Sequence, residues 1–303
     1  MRTARSRQAF AFAALALVML LWSGNMIVGR AVREDIPPFT LAFFRWTGAF
    51  CIVLPFAIRH VRADRESLRR AWKPILLLGV AGVASFNAFI YSGLRHTTAT
   101  NALLLQAAIP ALVIAFDRLI FRLGAPKWHL IGVAISTLGV IVIIARGEPG
   151  ALLGLHFGLG DLLILCGVLA WSLYTSLLKL RPACNPLSFL MVTFAIGIIA
   201  MAPLAATEWQ EIAAIEGNAK VIGAFAYVAL LPSVVAYSLY NSAVAEVGAA
   251  RAGQAISLMP LFGALLAAGL LGEPLLRFHL AGMALILAGI AISSARVLTG
   301  RDA

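Results

Sequence analysis

Hydrophobic positions in this chain fall in long uncharged runs, without the one-sided stripes or strict alternation that mark elements half exposed to water. Ten runs stand out, at about Phe10–Gly29, Phe39–Ile58, Pro74–Leu94, Ala99–Phe121, Trp128–Ala145, Leu159–Leu178, Pro186–Thr207, Val221–Tyr240, Gly248–Leu271 and Leu276–Ala295. A helix crossing a bilayer needs roughly 20 mostly apolar residues, so the pattern predicts ten transmembrane helices. Short polar segments join them; the longest weakly polar one is the Gly-rich loop from Arg146 to Gly160. The expected fold is all-α and polytopic.

Composition agrees with this pattern. Of 303 residues, 61% are hydrophobic and 12% charged, and the mean hydropathy is +0.94. A soluble domain carries about 25% charged residues. Half that share cannot cover a chain this long in water, so lipid is the expected partner. Cys51, Cys166 and Cys184 lie far apart with no CxxC, and are read as reduced apolar fillers. The first run follows Arg2, Arg5 and Arg7 like a signal peptide, but it is too long and no A-x-A site follows it. It is read as a retained span.

The net charge of +11 is a topology signal. With a cytoplasmic N-terminus, cytoplasmic segments hold 17 of the 24 Lys and Arg, the opposite segments hold 6, and Arg45 lies within a span. Such a bias places both termini in the cytoplasm. It also removes the reason to infer nucleic-acid binding.

The two halves repeat at an offset of 148 to 150 residues. Trp22 matches Trp171, Pro38 matches Pro186, and Ser92 matches Ser242. Likewise Pro110 matches Pro260, His129 matches His279, Gly132 matches Gly282 and Gly139 matches Gly289. Residues 1–147 and 148–303 form the two repeats. Each has five spans, an odd number, so the second must enter the membrane from the opposite side. Inverted repeats of this kind are common in transporters, whose solute site lies near the midplane between the halves.

LWSGN at Leu21–Asn25, PFTLAFFR at Pro38–Arg45, GDLLILCGVLAWSLYT ending at Thr175, the stretch Gln254–Pro260 and the GEP of Gly272–Pro274 resemble EamA repeats over essentially the whole chain. The resemblance is to the drug/metabolite transporter superfamily, and within it to YddG-type amino-acid exporters. It implies a central cavity lined by spans one to four and six to nine, with five and ten at the periphery. One departure is visible. The acid the family often carries after span four of a repeat is Glu273 in the second half, whereas Leu123 stands there in the first.

Polar side chains within spans are costly and usually face a bundle interior or a wet cavity. Trp22 and Asn25 in span one, and Trp171 and Tyr174 in span six, are three apart and share a helical face. Asn87 and Tyr91 share a face in span three, and Tyr237 and Asn241 share one in span eight. Asn101 and Gln106 in span four, with Gln254 and Ser257 in span nine, complete the candidate substrate-binding set. Amides and phenols both donate and accept, which suits a zwitterion. The alternative for each is an interhelical hydrogen bond, or for the tryptophans an interfacial anchor. Pro110 and Pro260 remove a backbone hydrogen bond in matching spans and are candidate gating positions. Arg45 either binds a carboxylate, or it snorkels towards the interface or pairs with an acid, and its shallow depth favours these last two. Asp117 and Arg118 read as an interfacial pair, and His129 and His279 as helix-start caps.

No HExxH, Cys/His cluster, P-loop or GxSxG occurs, so neither metal, cofactor nor catalytic chemistry is expected. Asp117, Asp161, Glu246 and Glu273 all fall near span ends. Efflux down the solute gradient and proton coupling through an end-of-span group both stay open. The expectation is an inner-membrane exporter of aromatic or other neutral amino acids, or related metabolites, by alternating access. Nucleobases, sugars and drugs are the sibling substrates; a membrane enzyme or a receptor is the different class. No obligate protein partner is expected.

Overall fold

The structure, a computed structural model, describes residues 4–32, 34–97, 102, 105–145, 148, 150, 158–271 and 275–298. These are helical, with no strand among them. The helices are α1 (Ala4–Ala31), α2 (Pro38–Ala63), α3 (Trp72–Leu94), α4 (Ile109–Phe121) and α5 (Lys127–Ile144) in the first half. In the second they are α6 (Leu159–Leu177), α7 (Pro186–Ala206), α8 (Ala219–Val247), α9 and α10 (Arg277–Leu298). α9 has two parts, Ala249–Gln254 and Leu258–Leu271, joined by a 3-10 turn at Ala255–Ser257.

Eight of these, all but α4 and α10, contain a stretch long and apolar enough to cross a membrane. α4 has 13 residues, and the apolar stretch described in α10 is Arg277–Ser293. Large apolar side chains such as Ile199 and Leu119 are 74% and 76% exposed around the outside of the bundle. A surface of that kind is stable against lipid, not water. The chain is a multi-pass membrane protein.

Helix starts follow local chemistry. Pro38 and Pro186 open α2 and α7, where a missing N–H costs nothing. The Asn185 and Asn218 side chains accept from the Leu187 and Val221 amides at 2.9 and 3.0 Å. Two carboxylates extend this capping between helices. Glu208, after α7, accepts from the Thr40 amide (2.8 Å) and hydroxyl (3.0 Å) at the start of α2. Asp64, after α2, accepts from the Asn185 amide (2.8 Å) and the Ser188 hydroxyl (2.7 Å) at the start of α7. Each helix is thus capped by the segment that follows the other.

Packing pairs also exchange under the repeat. α3 packs on α6 as α8 packs on α1, and α4 packs on α6 as α9 packs on α1. The α5–α10 crossing maps onto itself. A Cβ on Gly132 would lie 2.5 Å from the Gly289 carbonyl oxygen, and one on Gly139 would lie 2.6 Å from that of Gly282. Only glycine allows this approach.

Two expectations change here. Asp117 is buried and bonds Ser176 and Lys179, while Arg118 is exposed. The span-end pair therefore runs from α4 to α6, since a buried carboxylate needs partners its own exposed neighbour cannot supply. His129 is buried and its Nδ1 meets the Ser293 hydroxyl, so it ties α5 to α10. His279 does sit as expected: its Nδ1 accepts from the Leu276 amide at 3.0 Å.

Candidate binding cavity

Cross-loop bonds group the loops at two ends. One end, called basic here, gathers Asp64 with Asn185, Ser67 with the Ala183 carbonyl, and Arg7 with Glu246. The far end gathers Glu208 with Thr40 and Arg95, and Lys220 with Asp35.

Between them, α3 and α8 each widen into a π-helical turn, at Gly79–Ser85 and Leu230–Val235. These are matching positions at the 150-residue offset. A π turn leaves a backbone carbonyl without its usual helical partner, which is why such turns recur at functional sites. The Pro232 carbonyl accepts from the Trp22 indole at 3.0 Å and from Arg45 at 3.3 Å. The matching Gly82 carbonyl accepts from the Tyr237 hydroxyl at 2.7 Å. Gly82 also admits the Tyr174 ring, which a Cβ there would meet at 2.3 Å.

The indoles of Trp22 and Trp171 meet edge to face, with centroids 5.0 Å apart, at the centre of the bundle. Tyr237 and Tyr240 flank both, and Phe86 packs on Trp171 at 4.9 Å. Aromatic pairs in this geometry contribute about 0.5–1.5 kcal/mol each beyond their buried area. Over this cluster, towards the far end, lies a cavity with about 520 Å³ of empty space including its mouth.

Of the sequence-predicted residues, the cavity brings together Trp22, Asn25, Asn87, Tyr91, Gln106, Trp171 and Tyr237. Tyr174 and Asn241 lie beneath it, bonded to each other at 2.7 Å. Beside them the hydroxyls of Thr175 and Tyr240 meet at 2.9 Å. This neutral layer closes the bundle on the basic side of the cavity. Gln254 stands apart and braces α9 against α5 and α10 through the Ser136 hydroxyl and the Gly289 carbonyl, at 3.2 and 3.3 Å. Ser257 and Pro260 line a smaller adjoining space with Gln106. Asn101, like Glu273, lies outside the described residues.

The prolines sit differently from a mid-helix kink. Pro110 is in the first turn of α4, after a break at Ala107–Ala108, and Pro260 is in the first turn after the 3-10 segment of α9. Both begin the second part of an interrupted span, where proline is well tolerated.

Arg45 is the residue the sequence reading set aside. It does not snorkel: it is 3% exposed, lines the cavity, and bonds Ser233 (2.6 Å), Asn87 (3.3 Å) and Tyr91 (3.3 Å). Its guanidinium also lies 4.6 Å from the Trp46 ring. Asn87 and Tyr91, on one face at i and i+4, were the signal that a donor would be met there. The π turns had no comparable signal beyond Gly79, Gly82 and Pro232 lying within otherwise helical runs.

Among known proteins, the profile of the EamA-like transporter family matches residues 9–145 and 158–295. The chain is 27% identical to a "Probable amino-acid metabolite efflux pump" of Salmonella typhimurium, over 91% of this chain and 92% of that one. It is 24% identical to the "Uncharacterized inner membrane transporter YedA" of Escherichia coli K12, over 93% and 89%. A chain of known crystal structure, described only as a protein, superposes with a TM-score of 0.73 at 18% identity, covering 94% of this chain and 96% of its own. That likeness concerns the fold.

Proposed function

The chain belongs to the EamA-like transporter family, and from that membership we propose that it exports aromatic or other neutral amino acids, or closely related metabolites. The observation that carries this reading is the cavity itself. It is lined from both halves by indoles, amides and two phenols, and it lies to one side of a closed, hydrogen-bonded layer. Such a layer is what a solute must pass in alternating access. Efflux of amino-acid metabolites is also what the name of the Salmonella relative states.

In this reading α4 and α10 count as spans, making ten in two inverted repeats, 1–147 and 148–303. The α5–α10 crossing supports it. Two antiparallel helices that exchange under a two-fold require the axis perpendicular to them, hence in the membrane plane. The Lys and Arg bias makes the basic end cytoplasmic, so the cavity faces outward, with both termini inside the cell. The breaks before Pro110 and Pro260 are the hinges of the change between states.

The test is uptake of labelled phenylalanine and tryptophan into proteoliposomes. Saturable uptake is expected, reduced about tenfold or more by Trp171→Ala, which removes the cavity floor. Uptake of nucleobases or sugars with none of either amino acid would overturn the substrate assignment.

A further inference from the structure

We infer that Arg45 receives a carboxylate of the solute, so that the cavity selects small monocarboxylates with an apolar or aromatic body over amines and over neutral solutes of the same shape. This deepens the proposal above and rests on it for transport, though not for binding.

Among the described residues, Arg45 carries an unbalanced charge. Each named partner of Arg45 is neutral: a serine hydroxyl, an amide oxygen, a phenol and a backbone carbonyl. Among the described residues no carboxylate lies within ion-pair distance of it, whereas Arg95 and Lys220 near the same end pair with Glu208 and Asp35. A buried cation costs several kcal/mol unless it is paired. Dipoles offset part of that cost, and an anion offsets more. Guanidinium has five N–H donors, and the four named bonds leave one on Nη2. The bonds to Asn87 and Tyr91, at 3.3 Å, are long enough to exchange for shorter ones to a carboxylate.

The rest of the lining points the same way. Apart from Arg45 it consists of apolar, aromatic, amide and phenol side chains, so its formal charge is +1. Three buried polar atoms of the lining have no intramolecular hydrogen bond among the described residues: the Gln106 Nε2 and Trp171 Nε1 donors and the Asn25 Oδ1 acceptor. Gln106 supplies a second donor for a carboxylate, and Asn25 supplies an acceptor for an ammonium or hydroxyl. A simple amine finds no anion here. The indoles of Trp22 and Trp171 take the apolar body.

The experiment titrates the purified protein in lipid nanodiscs with four probes, following tryptophan fluorescence. These are phenylalanine, 3-phenylpropionate, 3-phenylpropionamide and 2-phenylethylamine. Both carboxylates are expected to bind about tenfold or more tightly than the amide and the amine. Arg45→Gln should erase that preference, and Arg45→Lys should keep part of it. Asn87→Asp is the second variant, needed if Arg45→Gln does not fold. It leaves the guanidinium in place but gives it an internal counter-ion, so carboxylate binding should fall while the protein keeps its thermal stability. A wild type without carboxylate preference, or a preference unchanged in Arg45→Gln and Asn87→Asp, overturns the inference. Flux assays on the same variants separate the two claims. Carboxylate binding without flux of any probe overturns transport and leaves this inference standing. Flux of carboxylate-free solutes that is indifferent to Arg45→Gln does the reverse.

Discussion

The two halves of this molecule share a scaffold and differ in what they place at its centre. Asn87 and Tyr91 in α3 occupy the positions that Tyr237 and Asn241 occupy in α8, the same two residue types exchanged. In the first half the pair bonds Arg45 and lines the cavity. At the place of Arg45 in α7 stands Thr193, whose hydroxyl is satisfied by the Phe189 and Leu190 carbonyls of its own helix. With no cation to serve, Asn241 accepts from Tyr174 and Tyr237 turns to the Gly82 carbonyl. The first pair serves a buried cation beside the cavity, whereas Asn241 bonds within a neutral layer, where its Nδ2 has no hydrogen bond among the described residues. The difference between halves is one of hydrogen-bond bookkeeping more than of shape.

The most disruptive way to break this comparison is to give the second half the charge it lacks. Thr193 is buried, and Thr193→Arg would place a cation where the matching polar groups, Asn241 and Tyr237, are already bonded to Tyr174 and to the Gly82 carbonyl. A loss of about 3 kcal/mol is expected, the usual cost of an arginine at depth in a span. Thermal unfolding monitored by size-exclusion chromatography measures it, and an unchanged midpoint would mean that the halves are interchangeable.

A milder change loosens the seal alone. Tyr174→Phe removes one donor and leaves the Asn241 oxygen buried without it, at a cost of about 1–2 kcal/mol. Hydrogen exchange in the Tyr237–Asn241 backbone should rise accordingly, while exchange around Arg45 stays as it was.

The smallest effects compare the reciprocal caps of α2 and α7. Glu208 is buried and also pairs with Arg95, so Glu208→Gln should cost about 1 kcal/mol. Asp64 is more exposed, and Asp64→Asn should cost less. Bonds from the Ser188 hydroxyl and then the Asn185 amide hold its carboxyl below the ordinary 3.8, against a smaller opposing effect of burial. A carboxyl with a lowered native pKa stabilises fully above its unfolded value, and that contribution fades as pH falls through the native one. Wild type and Asp64→Asn should therefore differ in melting temperature at pH 7 and converge below pH 3.8. A constant gap at all pH values would assign the effect to packing.

Much of the architecture was legible in the sequence. A helix in lipid must carry its own apolar surface and satisfy its own backbone, so span positions read directly from runs such as Pro186–Thr207, found as Pro186–Ala206. Side chains sharing a face by spacing, as Trp22 with Asn25 or Asn87 with Tyr91, did meet in one cavity. Facing pairs across helices were less accessible. Tyr174 and Asn241 look like lining by the same spacing rule, yet they bond each other and lie below the cavity. Gln254 followed the pattern too but faces α5 and α10.

The sequence by itself determined the class, eight of the spans and the presence of two family repeats, because hydropathy, proline and glycine act locally and need no partner to be read. Tertiary structure alone decided which polar groups remain available. That depends on what lies opposite each helix: a carbonyl released by a π turn, an acid after a neighbouring span, or nothing but neutral dipoles around Arg45. Interior charge is settled by the whole surround, and no single span carries that information.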